Sequence, residues 1–179
     1  MSRLTTIGNL ADAPEASAAL FAGIKKAMGK VPNAYATIGS SAPNVLAHAL
    51  QTNAVLKQGE LSALELEAIN LAVSEASQCD YCLAAHSMTG KMAGYTAEQI
   101  MQLRKGELPG NPRIDALVKF ALTLVTTRNT LSADAVASVK NAGYSDRQIL
   151  EAILAVSAIL FTNMVNRVND TVLDFPKAA

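Results

Sequence analysis

Residues 67–86 read EAINLAVSEASQCDYCLAAH, and this stretch predicts two consecutive helices. Its first part places apolar residues at helical spacing, without the alternation that is typical of a strand. Ser77, followed three residues later by Asp80, predicts the N-cap of the second helix. Cys79 would then lie in the first helical turn and Cys82 just beyond it. At ~100° per residue, positions 79, 82 and 86 lie within about 60° of one another, so their side chains share one stripe.

The same helix-start signals recur along the chain and predict a single all-α domain over residues 1–179, with about eight helices. The expected helices are Glu15–Met28, one capped by Ser41 and running to about Lys57, three opened by the capping boxes Ser62/Glu65, Thr96/Gln99 and Ser145/Gln148, one from Asn111-Pro112 to about Thr127, and one from Ser132 to near Gly143. The segment from Lys30 to Ser40, which contains Pro32 and Gly39, is expected to be a loop.

The composition excludes several function classes. The chain has 179 residues, with 15 basic against 15 acidic side chains, which removes the electrostatic attraction that most nucleic-acid binders and membrane-surface proteins need. Only 4% of residues are aromatic, which argues against a platform for stacking bases. Residues 1–20 show no secretory signal, and the most apolar run, Ile149–Phe161, is short against the ~20 residues of a membrane span. The expected compartment is the reducing cytoplasm.

The spacing of the only two cysteines points to thiol chemistry. They stand three residues apart, and one of the two histidines of the chain, His86, follows the second cysteine by four residues. A helix N-terminus carries a partial positive charge that favours thiolate over thiol. His86 lies one turn from Cys82 and can accept its proton, whereas Cys79 lies nearer the exposed end of the helix. The pattern predicts a dithiol redox centre with Cys82 as the nucleophile and Cys79 as the resolving thiol.

Other chemistries of this segment stay open. Cys79, Cys82 and His86 would make three zinc ligands, with Glu67 as a fourth. Two buried, inert thiols beside a core histidine are a third alternative. Covalent haem is excluded because its motif needs a histidine directly after the second cysteine, where this chain has Leu83. A thioredoxin fold is excluded because no βαβ pattern surrounds the motif.

The complete spacing of Glu67, eleven residues, Cys79-x-x-Cys82, three residues and His86 resembles the signature of the alkylhydroperoxidase D-like proteins. These proteins belong to the carboxymuconolactone decarboxylase superfamily. The resemblance extends over nearly the whole chain, residues 31–176. It implies an all-helical fold that assembles into trimers or hexamers, and thiol-based reduction of peroxides. It also implies that Cys82 is peroxidatic, that Cys79 is resolving, and that Glu67 and His86 relay protons.

One position departs from the founding members of the family, which carry a second histidine immediately before the latter cysteine. This chain has Tyr81 there, and a phenol with a pKa of about 10 is a poor base at neutral pH, although it donates a hydrogen bond. We expect Tyr81 to form a wall of the pocket or an interface contact. The expected reductant is an external dithiol, such as a lipoyl-bearing or thioredoxin-like protein, and no metal, flavin or haem cofactor is expected.

Residues outside the cysteine motif add further expectations. Glu67 lies in an apolar helix, where burial would raise its pKa toward the range useful for acid–base work; the alternative is a solvent-facing stripe shared with Glu65. His48 is expected at the surface or at an interface. The apolar helix around Ile149–Phe161 favours association into a homo-oligomer. A polar tract after it is expected to line the same pocket, and it comprises Asn163, Asn166, Arg167, Asn169 and Asp170.

These expectations combine into an antioxidant enzyme that reduces organic hydroperoxides or hydrogen peroxide through a Cys79–Cys82 dithiol–disulfide cycle. Two rival classes remain. The first is a decarboxylase of the kind that names the superfamily, which would act on a carboxylated lactone and has no need of paired cysteines. The second is a zinc-binding or redox-sensing module without turnover.

Overall fold

The computed structural model describes residues 2–7 and 12–178, and within these residues the chain folds into nine α-helices and no strand. The helices are α1 (Glu15–Met28), α2 (Asn33–Ser41), α3 (Pro43–Lys57), α4 (Ala63–Ala76), α5 (Asp80–Ala93), α6 (Ala97–Arg104), α7 (Pro112–Thr126), α8 (Ala133–Asn141) and α9 (Asp146–Asn169). The all-α prediction is confirmed, with one helix more than the start signals indicated.

Most helix starts are those that the capping residues predict. The Glu65 N–H lies 3.3 Å from Ser62 Oγ, and the Ser62 N–H lies 2.8 Å from Glu65 Oε2, so the pair forms a reciprocal capping box at the start of α4. Thr96 and Ser145 open α6 and α9 with the same box. These contacts satisfy N–H groups that the first turn leaves unpaired, and they act between residues close in sequence.

The segment predicted as a loop, Lys30 to Ser40, is largely helical, and this accounts for the extra helix. Ser41 is the last residue of α2 rather than the cap of α3. Ala42 takes the cap position of α3, and Pro43 is its first residue. A proline suits the first helical turn because it lacks an N–H that would be unpaired there.

Gly39 lies inside α2 because of tertiary packing. A Cβ atom at this position would come within 2.5 Å of the Phe21 ring and 2.7 Å of the Leu46 side chain. The close approach of α2 to α1 and α3 therefore requires a residue without a side chain. Helix propensity alone treats such a glycine as a break, which explains the wrong loop prediction.

Helix α4 lies at the centre of the packing and contacts α5, α6, α7 and α9. Its buried apolar residues contribute roughly 1.5–3 kcal/mol each where a large side chain is fully removed from water. They are Ala68, Ile69, Leu71, Ala72 and Val73. Because α4 is central, Glu67 on its flank lies beside the helices that carry Cys82 and Asn166.

Helix α9 is 24 residues long and has two apolar faces. One face, which includes Ala152, Ala155 and Ile159, is buried in the core, while the opposite face exposes Leu150 and Ile153. By length and hydropathy α9 is the one described helix that could span a membrane, a test that core helices of soluble proteins also pass. The helix is longer than the apolar run seen in the sequence because it continues to Asn169.

Candidate active site

The cysteine motif begins at a tight junction between α4 and α5. The Gln78 N–H donates to the Glu75 carbonyl at 2.9 Å, and the Cys79 N–H donates to the Ser74 carbonyl at 3.0 Å. Gln78 has a left-handed backbone, with a φ of 53°. These two hydrogen bonds around one left-handed residue form a Schellman motif, which ends a helix and turns the chain sharply. The C-terminus of α4 thereby sets the position of Cys79.

Cys79 is the N-cap of α5, and its Sγ accepts a hydrogen bond from the Cys82 N–H at 3.3 Å. The prediction that Ser77 caps this helix is wrong, because Ser77 is the C-cap of α4. The physical reason is the short junction, which leaves no room for a separate cap. Both sulfurs consequently lie closer to the positive end of the helix than predicted, with Cys79 at the cap and Cys82 in the first turn.

Cys82 lies in the wall of a cavity of about 290 Å³, whereas Cys79 does not line it. Both thiols are free and buried, with residue exposures of 3% for Cys82 and 1% for Cys79. Across the site, Asn166 on α9 points its amide group at Cys82, with 3.3 Å between Nδ2 and Sγ. A molecule in the cavity therefore meets the Cys82 sulfur first.

The two thiols titrate as a pair. A hydrogen bond with the Cys82 thiol holds the pKa of Cys79 below its ordinary value, against the effect of burial, and the Cys82 N–H adds to this. The same bond to Cys79, together with burial and the Cys79 charge, raises the pKa of Cys82. The two pKa values are therefore shifted in opposite directions, so the pair loses its two protons at different pH values. The raised pKa of Cys82 differs in direction from the expectation that the helix N-terminus favours its thiolate.

Glu67 and His86 form a hydrogen-bonded pair at the same cavity, with 2.9 Å between Glu67 Oε2 and His86 Nδ1. Thr89 Oγ1 donates to the same carboxylate oxygen at 2.8 Å. Burial raises the pKa of Glu67, but the charge and hydrogen bond of His86 and the Thr89 bond outweigh it, so this pKa lies below its ordinary value. The expectation of a raised Glu67 pKa is therefore wrong.

Glu67 and Glu65 do not share a solvent-facing stripe. Glu65 is buried in its capping box and lies 3.3 Å from the Arg113 guanidinium, while Glu67 faces the cavity. An ionised Glu67 cannot supply a proton, but it fixes the His86 ring through Nδ1. The other ring nitrogen is then left for a ligand in the cavity.

Tyr81 lies in the cavity wall and contacts the segment that follows α9. Its hydroxyl donates to Asp174 Oδ1 at 2.6 Å and accepts from the Ala34 N–H at 3.2 Å. Its ring meets the Phe175 ring edge-on, with 5.6 Å between centroids. Burial and the Asp174 hydrogen bond raise the pKa of Tyr81, so the phenol stays protonated. Tyr81 is a structural donor here and has no role as a base.

The segment after α9, which we call the C-terminal strap (residues 171–176), reaches the cavity through Phe175. Asp174 Oδ2 lies 2.9 Å from Lys30 Nζ, and Lys30 also donates to the Asp174 carbonyl. The Lys30 ammonium group lies 4.2 Å from the centre of the Phe175 ring, which itself lines the cavity. Sequence reasoning noted this segment only as part of the resemblance and assigned no role to Lys30, Asp174 or Phe175.

The polar tract of α9 divides into a site residue and structural residues. Asn166 lines the cavity as predicted, but Asn163, Arg167, Asn169 and Asp170 do not. Asn163 Oδ1 accepts from the Ser74 hydroxyl at 3.2 Å, and Asn169 Nδ2 donates to Thr37 Oγ1 at 3.1 Å. Thr89 was missed by the sequence analysis, and its position one turn after His86 was the only signal that could have indicated it.

The zinc alternative needs at least three ligands placed together. Among the residues that the structure describes, no group of three His, Cys, Asp or Glu side chains is arranged to hold a metal ion. His86 instead directs Nδ1 to Glu67, which leaves the two cysteines without a third ligand in place.

A second cavity, of about 470 Å³, forms a groove between α3 and α9. Asn53, Ala158 and Thr162 line both this groove and the cysteine cavity, so the two spaces adjoin. The exposed His48 lies in the groove and has no place in the cysteine cavity. This agrees with its predicted location at the surface.

The sequence is similar to a known protein family over the helices that form the site. Residues 43–123, which span α3 to most of α7 and include the whole cysteine motif, match the carboxymuconolactone decarboxylase family. These residues make up slightly less than half of the chain, and over them the chain resembles this family. The match explains why the resemblance rests on the stretch from Glu67 to His86. No curated protein matches the sequence.

Several solved structures have the same fold as this chain, although their sequences are no more than 22% identical to it. A peroxidase-related protein from Ralstonia eutropha JMP134, described as an alkylhydroperoxidase AhpD core, is 22% identical, with a TM-score of 0.84 over 97% of this chain and 92% of its own. A peroxidase-related protein from Silicibacter sp. TM1040 is 22% identical, with a TM-score of 0.77 over 96% and 94% of the two chains. At this identity the likeness demonstrates the fold.

The same fold occurs in the debrominase Bmp8, solved in complex with 2,3,4-tribromopyrrole. It is 20% identical to this chain, with a TM-score of 0.80 over 97% of this chain and 94% of its own. Structures with this architecture therefore include both peroxidase-related proteins and a debrominase, and the chemistry of each depends on its own site.

Proposed function

We propose that this protein is a thiol-dependent peroxidase that reduces organic hydroperoxides through a Cys79–Cys82 dithiol–disulfide cycle. The observation that carries the proposal is the placement of Cys82 in a cavity wall with the sulfur-bearing cap Cys79 behind it. A hydroperoxide in the cavity reaches one sulfur, and the other stands within the same helical turn to close a disulfide. The mostly apolar cavity lining favours an organic hydroperoxide over hydrogen peroxide.

The first step is attack by Cys82 on the terminal oxygen of the hydroperoxide. As the S–O bond forms and the O–O bond breaks, the Cys82 proton passes to the Cys79 thiolate. Cys82 becomes a sulfenic acid, and the leaving alkoxide takes a proton from the His86 imidazolium. The external dithiol that later reduces the disulfide supplies the proton that recharges His86. In the second step the Cys79 thiol displaces water from the sulfenic acid, which gives the Cys79–Cys82 disulfide.

An external dithiol completes the cycle by two thiol–disulfide exchanges, and a lipoyl-bearing or thioredoxin-like protein is the proposed donor. The cycle as written uses no resident metal, flavin or haem. The proposed setting is a reducing cytoplasm, where such dithiols are kept reduced. We further propose that the chain forms homotrimers or homohexamers through the exposed apolar face of α9.

Reductive debromination is a second candidate, favoured by the likeness to the debrominase Bmp8. The same dithiol would reduce an aryl bromide: the bromine leaves as bromide, the ring carbon gains a proton, and Cys79 and Cys82 form the same disulfide. Both reactions consume two thiols per electrophile, so thiol loss alone does not separate them. Parallel assays with cumene hydroperoxide and with tribromopyrrole distinguish the two reactions.

The decisive experiment is a thiol count and an intact mass on reduced, metal-analysed protein, before and after one equivalent of cumene hydroperoxide. We expect the loss of both thiols and of about two mass units, as one disulfide forms. Cys82→Ser should be inert, and Cys79→Ser should stop at sulfenic acid or a mixed disulfide. Two untouched thiols would refute the peroxidase, and a stoichiometric zinc would support the binding module instead.

The two histidines provide a matched control. His86→Asn should slow peroxide turnover on the order of 10²-fold, because the leaving alkoxide loses its proton source. His48→Asn, at the exposed groove, should leave turnover unchanged. Full lactone decarboxylation by the cysteine variants would revive the decarboxylase alternative.

A further inference from the structure

Asn166 has a buried side-chain amide whose nitrogen is hydrogen-bonded and whose oxygen has no partner among the described residues. Its residue exposure is 4%, and Nδ2 lies 3.3 Å from Cys82 Sγ. Its Oδ1 atom is buried and has no hydrogen-bond partner among the described residues. A buried carbonyl oxygen normally has a donor, so an unpartnered one beside a reactive sulfur needs an explanation.

The position of Asn166 is set by the end of α9. Its own carbonyl accepts hydrogen bonds from the Asp170 N–H and from the Thr171 N–H, the latter at 3.1 Å. Asp170 has a left-handed backbone, with a φ of 53°, and this capped end leads directly into the C-terminal strap. Asn166 is therefore anchored by backbone contacts, and it lines the same cavity as Cys82.

We propose that Asn166 is a catalytic residue whose amide N–H steadies the Cys82 sulfur while its carbonyl oxygen accepts a hydrogen bond from the terminal O–H of the hydroperoxide. The inference rests on the proposed function and adds a residue to it. The terminal oxygen is the atom that Cys82 attacks, and it carries the only proton of the peroxide group. One side chain thus aligns the two reacting atoms.

The electron and proton balance of the reaction is unchanged by this role. Negative charge is present on the Cys82 sulfur as its proton passes to Cys79, and the Asn166 N–H stabilises that charge. In agreement, the hydrogen bond from Asn166 acts to lower the pKa of Cys82, against the stronger effects of Cys79 and burial. After the attack, the same O–H group is part of the sulfenic acid and still donates its hydrogen bond to Oδ1. Asn166 therefore binds the product as well.

Asn163 provides a matched control on the same helix. It is a fully buried asparagine one turn before Asn166, and its Oδ1 accepts a hydrogen bond from the Ser74 hydroxyl. Among the described residues, it makes no hydrogen bond with either sulfur. Replacing Asn163 with leucine therefore reports the cost of losing a buried amide from α9, separately from any effect on Cys82.

The test is carried out in the Cys79→Ser background, where Cys82 is the only thiol. Thiolate absorbance gives its titration, and two electrophiles give its reactivity: cumene hydroperoxide, which has an O–H, and iodoacetamide, which has no peroxide proton. We expect Asn166→Leu to raise the thiol pKa of Cys82 and to slow the hydroperoxide reaction about 10- to 100-fold. Iodoacetamide should be slowed less at equal thiolate fraction, because only the hydroperoxide uses Oδ1.

Asn166→Asp keeps the shape and an acceptor oxygen but loses the N–H donor, and it serves if the leucine variant does not fold. It should raise the Cys82 pKa because a donor is replaced by a carboxylate. An unchanged pKa in Asn166→Asp, or equal effects of Asn166→Leu and Asn163→Leu, would overturn the assignment. A wild-type protein that does not react with hydroperoxide would instead overturn the proposed function, so the two failures are distinguishable.

Discussion

Cys79 and Cys82 sit one helical turn apart, yet their surroundings differ in a way that separates their roles. Cys82 faces the cavity and Asn166, whereas Cys79 faces the helix N-terminus and the Cys82 N–H. In the proposed cycle the sulfur that a substrate reaches gives its proton to the sulfur behind it. A single proton shared by the pair serves both the attack and the closure of the disulfide.

The titration of the pair provides the first prediction. The pKa of Cys79 is lowered and that of Cys82 is raised. The wild-type protein should therefore form its first thiolate at a pH below the ordinary pKa of a cysteine, and its second thiolate at a pH well above that pKa. Cys79→Ser should move the Cys82 pKa down, since the neighbouring charge is lost. Thiolate absorbance against pH measures both, and two equal, ordinary titrations would contradict the prediction.

The junction between α4 and α5 sets the position of the two cysteines. Gln78 adopts a left-handed backbone that glycine accepts without a steric cost. We predict that Gln78→Gly raises the free energy of unfolding by up to about 1 kcal/mol, because the Cβ penalty of the left-handed conformation is removed. Gln78→Val should lower it and loosen Cys79. Urea unfolding measures both, and a destabilised glycine variant would count against the Schellman interpretation.

The C-terminal strap is the second element on which the site depends. Asp174→Ala leaves the buried Tyr81 hydroxyl without its acceptor and releases Lys30, so we predict a loss of about 2 kcal/mol of unfolding free energy. The variant should also accept bulkier hydroperoxides, because Phe175 is no longer held in the cavity wall. Asp134→Ala, at an exposed position of α8, is the control. Equal stability of the two variants would refute this role of the strap.

The surface of the whole molecule carries an apolar stripe along α9 that the fold leaves uncovered. Leu150, Ile153, Met164 and Val168 are exposed and recur at helical spacing over a helix about 36 Å long. The stripe carries no charge, so a second copy of the same face can pack against it. This supports the proposed homo-oligomer, and we propose this face as its contact surface.

Ile153→Asp combined with Met164→Asp should dissociate the oligomer, because burying two carboxylates in an apolar contact is strongly unfavourable. Light scattering coupled to size exclusion measures the mass. Met92→Asp changes a methionine that is 78% exposed on α5 and should leave the mass unchanged. A monomeric wild-type protein would disprove the proposed assembly.

The sequence alone determined most of the helices and the grouping of Cys79, Cys82 and His86 along one helix and its cap, because caps and helical periodicity act over a few residues. It also determined that Glu67 belongs with them, through the family spacing. It misjudged Gly39, whose place in α2 follows from packing against Phe21 on another helix. Local propensity carries no information about such a neighbour.

Only the tertiary structure decided the surroundings of the reactive groups. Asn166 meets Cys82 across 84 residues of chain, and Asp174 meets Tyr81 across 93. The ionised state of Glu67 depends likewise on His86, 19 residues away on another helix. Hydrogen bonds and pKa values are set by atoms a few ångströms away, and helix packing chooses those atoms. For this reason the motif predicted the candidate residues of the site, and the fold decided which atoms surround each of them.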